Sequence, residues 1–214
     1  MRRVLACLAV IALMCSLSEQ SLSETFPHVL TFGAEPPLSF EIDGQFKPLV
    51  QLKFPLQYTD VDRRIFVDAD ASKRIRRLVI FQFEKVKTGA NFRFVYPPRP
   101  PKQFGAHTYR FGAYIYNDAH EAAMQPTMES ARTRIELERL HYRVPTVLQT
   151  ARLARVADPN GQSEMIIFYC ENADARYPSG KLPNADADGD LVLNPSQAQA
   201  LFKRLTAVIR ALSG

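Results

Sequence analysis

The sequence predicts an α+β fold: a mostly antiparallel β-sheet of about seven to nine short strands, covered by a middle helix and a C-terminal amphipathic helix. Three observations predict it. Residues 76–116 hold the runs RRLVIFQFEKV, NFRFVY and HTYRFGAYIYN, crowded with β-branched and aromatic side chains and parted by turn residues and prolines. Residues 127–142 carry opposite charges at helical spacing: Glu129 with Arg132, Arg132 with Glu136, Arg134 with Glu138. Asn194-Pro195 then opens a stretch in which Leu201, Leu205, Val208, Ile209 and Leu212 recur every three or four residues up to Gly214.

The first residues are read as a carrier rather than as fold. Arg2 and Arg3 precede an apolar run over 4–14, and small residues follow at Ser16 and Ser18, which is the pattern of a secretory signal peptide over 1–18. Eleven apolar residues fall short of the roughly 20 that a membrane-spanning helix needs, so no transmembrane segment is expected. Met14 before Cys15 argues against a lipoprotein. Residues 19–214 remain as one exported domain, periplasmic or extracellular, at roughly 150 residues per domain. Loss of Arg2 and Arg3 lowers the formal charge from +5 to +3, an ordinary surface that calls for neither nucleic acid nor membrane. Cys7 and Cys15 leave with the carrier, and Cys170 stays alone in an apolar run, so it is expected as a buried thiol with no internal disulfide.

Taken in order, Val29–Phe32 is a short apolar run, and Leu38–Ile42 alternates strictly. Asp43-Gly44 follows, and the pair predicts a hairpin into 45–52, with Pro48 marking an edge or bulge of the second strand. Phe54, Leu56 and Tyr58 alternate as a further run, and 63–67 reads as one more strand before a turn at 68–72. Residues 78–83 are apolar at nearly every position, as for an interior strand covered on both faces. Gly89 reverses the chain into a strand at 92–96, and the prolines of 97–101 make a stiff crossing. In 109–116, Tyr109, Phe111, Ala113 and Ile115 point one way and Arg110, Gly112, Tyr114 and Tyr116 the other. Asp118 with Glu121 looks like a capping box that Pro126 cuts short, and Thr127 suits an N-cap for a helix over 127–142, with a strand as the alternative. Residues 147–157 and 164–170 flank the turn Asp158-Pro159-Asn160-Gly161 as a second hairpin, with a helix over 147–156 as the alternative; 172–190 is loop.

No motif specifies a chemistry. There is no Gly-x-Ser-x-Gly elbow, His-Glu-x-x-His helix, Cys-x-x-Cys pair or glycine-rich phosphate loop. The expected ligand-binding residues are Tyr96, Arg110, Tyr114 and Tyr116, an aromatic and cationic sheet face suited to a small molecule, a carbohydrate or a peptide. His107 and His120 stand about 25 Å apart at opposite ends of one strand, at about 3.3 Å per residue, leaving Asp118 and His120 as the pair able to share a site. Asn184, Asp186, Asp188 and Asp190, with Gly189 in sixth place, resemble the first half of an EF-hand calcium loop. Pro195 stands where the bidentate Glu belongs, so no cofactor beyond weakly held calcium is expected. The carboxylates Asp60/Asp62 and Asp68/Asp70 lie beside arginines and read as surface ion pairs.

The function expected from these features is an exported, non-enzymatic binding or interaction domain that uses the Tyr/Arg-rich sheet face. Two alternatives stand beside it: a small secreted hydrolase-like enzyme with its site near Asp118 and His120, and a weakly calcium-binding structural protein.

Overall fold

The computed structural model describes residues 29–34, 37–96, 101–183, 185–186 and 189–212; the proposed signal peptide lies outside them. The elements are β1 (Val29–Phe32), β2 (Leu38–Ile42), β3 (Lys47–Pro55), β4 (Thr59–Ala69), β5 (Ile75–Val86), β6 (Lys102–Phe104), β7 (His107–Asn117), α1 (Asp118–Met124), α2 (Glu129–Arg139), β8 (Val147–Val156), β9 (Ser163–Asn172), β10 (Leu191–Val192), α3 (Pro195–Val208) and β11 (Ile209–Leu212). The α+β class and the antiparallel sheet are as the sequence predicts. The strands exceed the predicted seven to nine because short β6, β10 and β11 carry too few residues to show a period.

β10, β7, β8, β9, β5, β4 and β3 lie side by side in that order in an eight-stranded sheet, with β6 paired to β7; β1, β2 and β11 form a second sheet of three. The larger sheet is buried on both faces. From β5, Val79 and Phe81 enter a core shared with the small sheet and α3, whereas Leu78 and Ile80 enter one shared with Leu137 of α2. That is the two-sided cover expected of 78–83. The aromatic rings of Phe32 and Phe40 meet Phe81 at 6.0 and 5.1 Å between centroids, joining the two sheets.

Several expectations are corrected by packing. Asp43-Gly44 does turn the chain, with Phe46 N–H donating to Asp43 O at 3.0 Å, but it does not close a hairpin. β2 pairs with β1 and β11, while β3 pairs with β4. A turn sets a reversal and not a partner; burial of Leu38, Phe40 and Ile42 against Phe81 places β2 in the opposite layer. Pro48 behaves as predicted, on edge strand β3 beside a register shift. Of the run Phe54, Leu56 and Tyr58, Phe54 lies in β3, which ends at Pro55, and the other two fall in the turn before β4. Residues 92–96 join no ladder; Phe94 N–H donates to Gly161 O at 2.8 Å and Phe92 stacks on Tyr58 at 5.4 Å. Their aromatic content reflects side-chain packing, which strand propensity cannot separate from pairing.

The helices are where the charge and capping patterns put them, with shifted ends. α1 is capped by Asn117, whose side chain accepts from His120 N–H, and not by Asp118. α2 starts after Met128 with no side-chain cap, so Thr127 does not serve. Of the predicted pairs on α2, Arg134–Glu138 forms at 3.0 Å. Arg132 instead lies 4.8 Å over the Phe54 ring, and Glu136 is held by Arg139. Residues 147–156 are strand, paired with β9 across the Asp158 turn. α3 has the expected Asn194 cap, completed as a box by Gln197. It ends at Val208, earlier than predicted, because 209–212 supplies hydrogen bonds to the open side of β2 as β11.

The β6–β7 hairpin turns on Gly105, at φ +60°, where a Cβ would fall 2.5 Å from Ala211 Cβ on β11. A side chain there meets both backbone strain and a packed neighbour. Gly105→Ala is expected to cost about 1–3 kcal/mol, read as a lower urea midpoint with an unchanged slope.

Candidate functional site

Alternation along β7 separates its side chains as predicted. Tyr109, Ala113 and Ile115 enter the core beneath the small sheet, while Arg110, Gly112, Tyr114 and Tyr116 face the side that carries α1 and α2. The four expected ligand residues fall into two pairs. Tyr114 and Tyr116 line a cavity of about 130 Å³ under the helices. Tyr96 and Arg110 line another of about 260 Å³ toward the other end of the strand, with the Arg110 guanidinium 4.5 Å from the Tyr96 ring centroid. Gly112 lies between them, with open space where a Cβ would stand.

The first cavity is floored by the sheet and roofed by the helix pair. Tyr114 and Tyr116 set their rings 5.8 Å apart. Burial raises the pKa of both hydroxyls, so they stay neutral hydrogen-bonding groups. Tyr116 Oη donates to Asp118 Oδ1 at 3.2 Å, and Arg134 Nη1 holds Asp118 Oδ2 at 2.7 Å. Glu121 accepts from Ser130 at 3.0 Å; burial, then the Asp118 and Glu129 carboxylates, pushes its carboxyl up.

The residue that sequence reading missed is Arg63. It comes from β4, is 5% exposed, and donates through Nη1 to Gln82 Oε1 on the neighbouring strand. Its guanidinium lies 5.3 Å over the Phe168 ring. Among the described residues no carboxylate is within ion-pair distance of it, and its Nε has no hydrogen-bond partner. Burial lowers its pKa, with Glu129 the largest opposing influence. A buried arginine is ordinarily paired, and this one lines the cavity with no carboxylate at ion-pair distance among the described residues.

Beside it on the same face lie two buried carboxylates. Glu84 of β5 and Glu164 of β9 are directly opposite in register, 6% and 5% exposed. Glu84 accepts from Thr59 Oγ1 at 2.8 Å and Gln82 Nε2 at 2.7 Å, whereas Glu164 has only the Arg152 guanidinium, at 3.8 Å, among the described residues. Burial, and then Glu84, pushes the Glu164 carboxyl up to about 8. Spacing could not reveal this pair. A faint signal existed, since Gln82 and Glu84 continue the alternation of Leu78 and Ile80 on a strand covered on both sides.

Asp118 and His120 are not brought together: Asp118 is buried and taken up by Arg134 and Tyr116, while His120 is exposed on α1. Asp68, expected at the surface, is 3% exposed and gripped by Arg76 and Arg77. Its strand lies under the small sheet, a placement that local polarity does not show. Cys170 is buried and free as predicted, and burial pushes its thiol up to about 12. Of the calcium-like set, Asn184 and Asp188 lie outside the described residues. Asp186 and Asp190 close their loop on its own backbone, Asp190 N–H donating to Asp186 Oδ1 at 2.9 Å. No family model, curated protein or solved structure matches the chain.

Proposed function

We propose that the chain is an exported, non-enzymatic binding domain that holds the head group of a small molecule in the cavity under α1 and α2. The observation that carries this reading is Arg63: a buried guanidinium with no carboxylate partner among the described residues, lining a cavity together with Tyr114, Tyr116 and Phe168. Burying a charge without a partner is costly, and an acceptor on the ligand that pairs with the guanidinium offsets part of that cost. The rings supply flat apolar contact, so the fitting ligand joins a carbonyl or carboxylate to an aromatic or sugar-like body. At about 130 Å³, well under the roughly 300–1,000 Å³ of sites for drug-sized ligands, the cavity takes a head group rather than a whole drug-sized molecule. Export rests on the leader pattern of 1–18.

Thermal unfolding of the processed chain against aromatic carboxylates, sugars and short peptides tests the reading. A ligand at about 100 times its Kd is expected to raise Tm by about 5–10 °C. Tyr114→Ala and Arg63→Gln should stay folded and lose that rise. The reading fails if no compound shifts the native chain, or if both variants respond to it unchanged.

A further inference from the structure

The cavity under α1 and α2 is lined by charges of both signs that do not pair with one another. Arg63, Glu121 and Glu129 all belong to its wall. Among the described residues none of the three stands within ion-pair distance of an opposite charge. Arg63 is the deepest, 5% exposed, while the two glutamates are half-buried. The Gln82 amide separates Arg63 from Glu129: its Oε1 accepts from Arg63 Nη1, and its Nε2 donates to Glu129 Oε1 at 3.4 Å. Arg134, the cation of the roof, is taken up by Asp118 and Glu138. Glu121 has a neutral partner, accepting from Ser130 Oγ at 3.0 Å. Burial first, with the Asp118 and Glu129 carboxylates adding to it, holds the Glu121 carboxyl above its ordinary range, as for an acid short of positive charge.

The complement of such a recess carries both signs as well. A carboxylate alone would meet Arg63 but face two glutamates. An amine alone would meet the glutamates and leave Arg63 buried without an anion. Given the reading of this cavity as a ligand site, on which this step rests, we propose that it takes the head group of a free α-amino acid, its carboxylate on Arg63 and its ammonium on Glu121 and Glu129. A free amino acid holds both charges on one carbon, which suits a space of about 130 Å³, whereas a peptide sets its charged termini on different residues. Tyr114 and Phe168, which share the lining, give the ligand's side chain flat apolar contact.

Thermal unfolding of the full processed chain against L-alanine and L-phenylalanine tests the proposal. Each amino acid is titrated beside its analogue lacking the ammonium (propanoate, 3-phenylpropanoate) and its analogue lacking the carboxylate (ethylamine, 2-phenylethylamine). At least one of the two amino acids is expected to give a saturable rise in Tm, with both of its analogues binding about tenfold or more weakly. Glu121→Gln keeps the shape and the Ser130 partner, so it should stay folded and bring the amino acid and its carboxylate analogue toward parity. Glu129→Gln should do the same, and Arg63→Gln should leave the amine the better bound of the two analogues. A carboxylate analogue that binds as tightly as its amino acid overturns the proposal and leaves the cavity a plain carboxylate site. A preference undiminished in Glu121→Gln overturns it too. So does silence from both amino acids, and the wider screen of carboxylates, sugars and peptides then decides separately whether the cavity is a ligand site.

Discussion

Glu164→Gln is expected to remove a loss of stability that the native chain suffers as pH rises from about 5 to 9. The Glu164 carboxyl is pushed from an ordinary 4.5 to about 8 by burial and by Glu84 across the strand pair. Between those values the unfolded chain has released the proton while the folded chain keeps it. The folded state therefore binds more protons, and stability falls with rising pH across the window and levels off above about 8. At 1.36 kcal/mol per unit, the effect is on the order of a few kcal/mol. Glutamine keeps the shape and the hydrogen-bonding reach toward Arg152 without a charge to release. Urea unfolding at pH 5, 7 and 9 should show a much shallower decline in the variant than in the native chain. Parallel declines would mean that Glu164 titrates normally and that the acid pair is solvated. Asp118 and Glu121 also have raised carboxyls, but they are common to both proteins, so the difference isolates Glu164.

Arg134→Ala is expected to cost about 3–5 kcal/mol, the usual consequence of stranding a buried charge. Asp118 is 4% exposed, and Arg134 bridges its carboxylate at 2.7 Å to Pro145 O at 2.9 Å. That one side chain ties α2 to the start of α1 and to the entry of β8, and so holds the roof over Tyr114 and Tyr116. Burial already raises the Asp118 carboxyl while Arg134 pulls it down. Without Arg134 the carboxyl protonates more readily, so the destabilisation should shrink toward acid pH. The double variant Asp118→Asn/Arg134→Ala should be less destabilised at pH 7 than Arg134→Ala alone. Additive losses would show that the two side chains act independently.

Both predictions concern groups that sequence reading placed poorly, and the reason is common to them. Arg63, Glu84, Asp68 and Glu164 sit in stretches whose charges look solvated, and a strand shows its period but not what lies above it. Arg63, Gln82, Glu84 and Glu164 converge from β4, β5 and β9 because the register aligns Arg63 with Gln82 and Glu84 with Glu164. Tyr114 and Tyr116 were legible as one face of β7 because alternation over 109–116 is unbroken. Their separation from Arg110 and Tyr96 was not, since it depends on where α1, α2 and residues 92–96 settle over that face.

The amino-acid order alone determined what depends on near neighbours in the chain: the α+β class, the sidedness of β7, the edge character of Pro48, the Asn194 cap and the buried thiol of Cys170. Each is a consequence of backbone stereochemistry or of period, acting over a few residues. Tertiary structure alone decided which strands share a sheet, that β2 crosses to the other layer after Asp43-Gly44, and that residues 209–212 leave the helix to pair. It also gathered the buried arginines, tyrosines and acids into cavities. Those outcomes follow from competition among distant surfaces for burial and among open strand edges for hydrogen bonds, a contest that no local stretch of sequence contains.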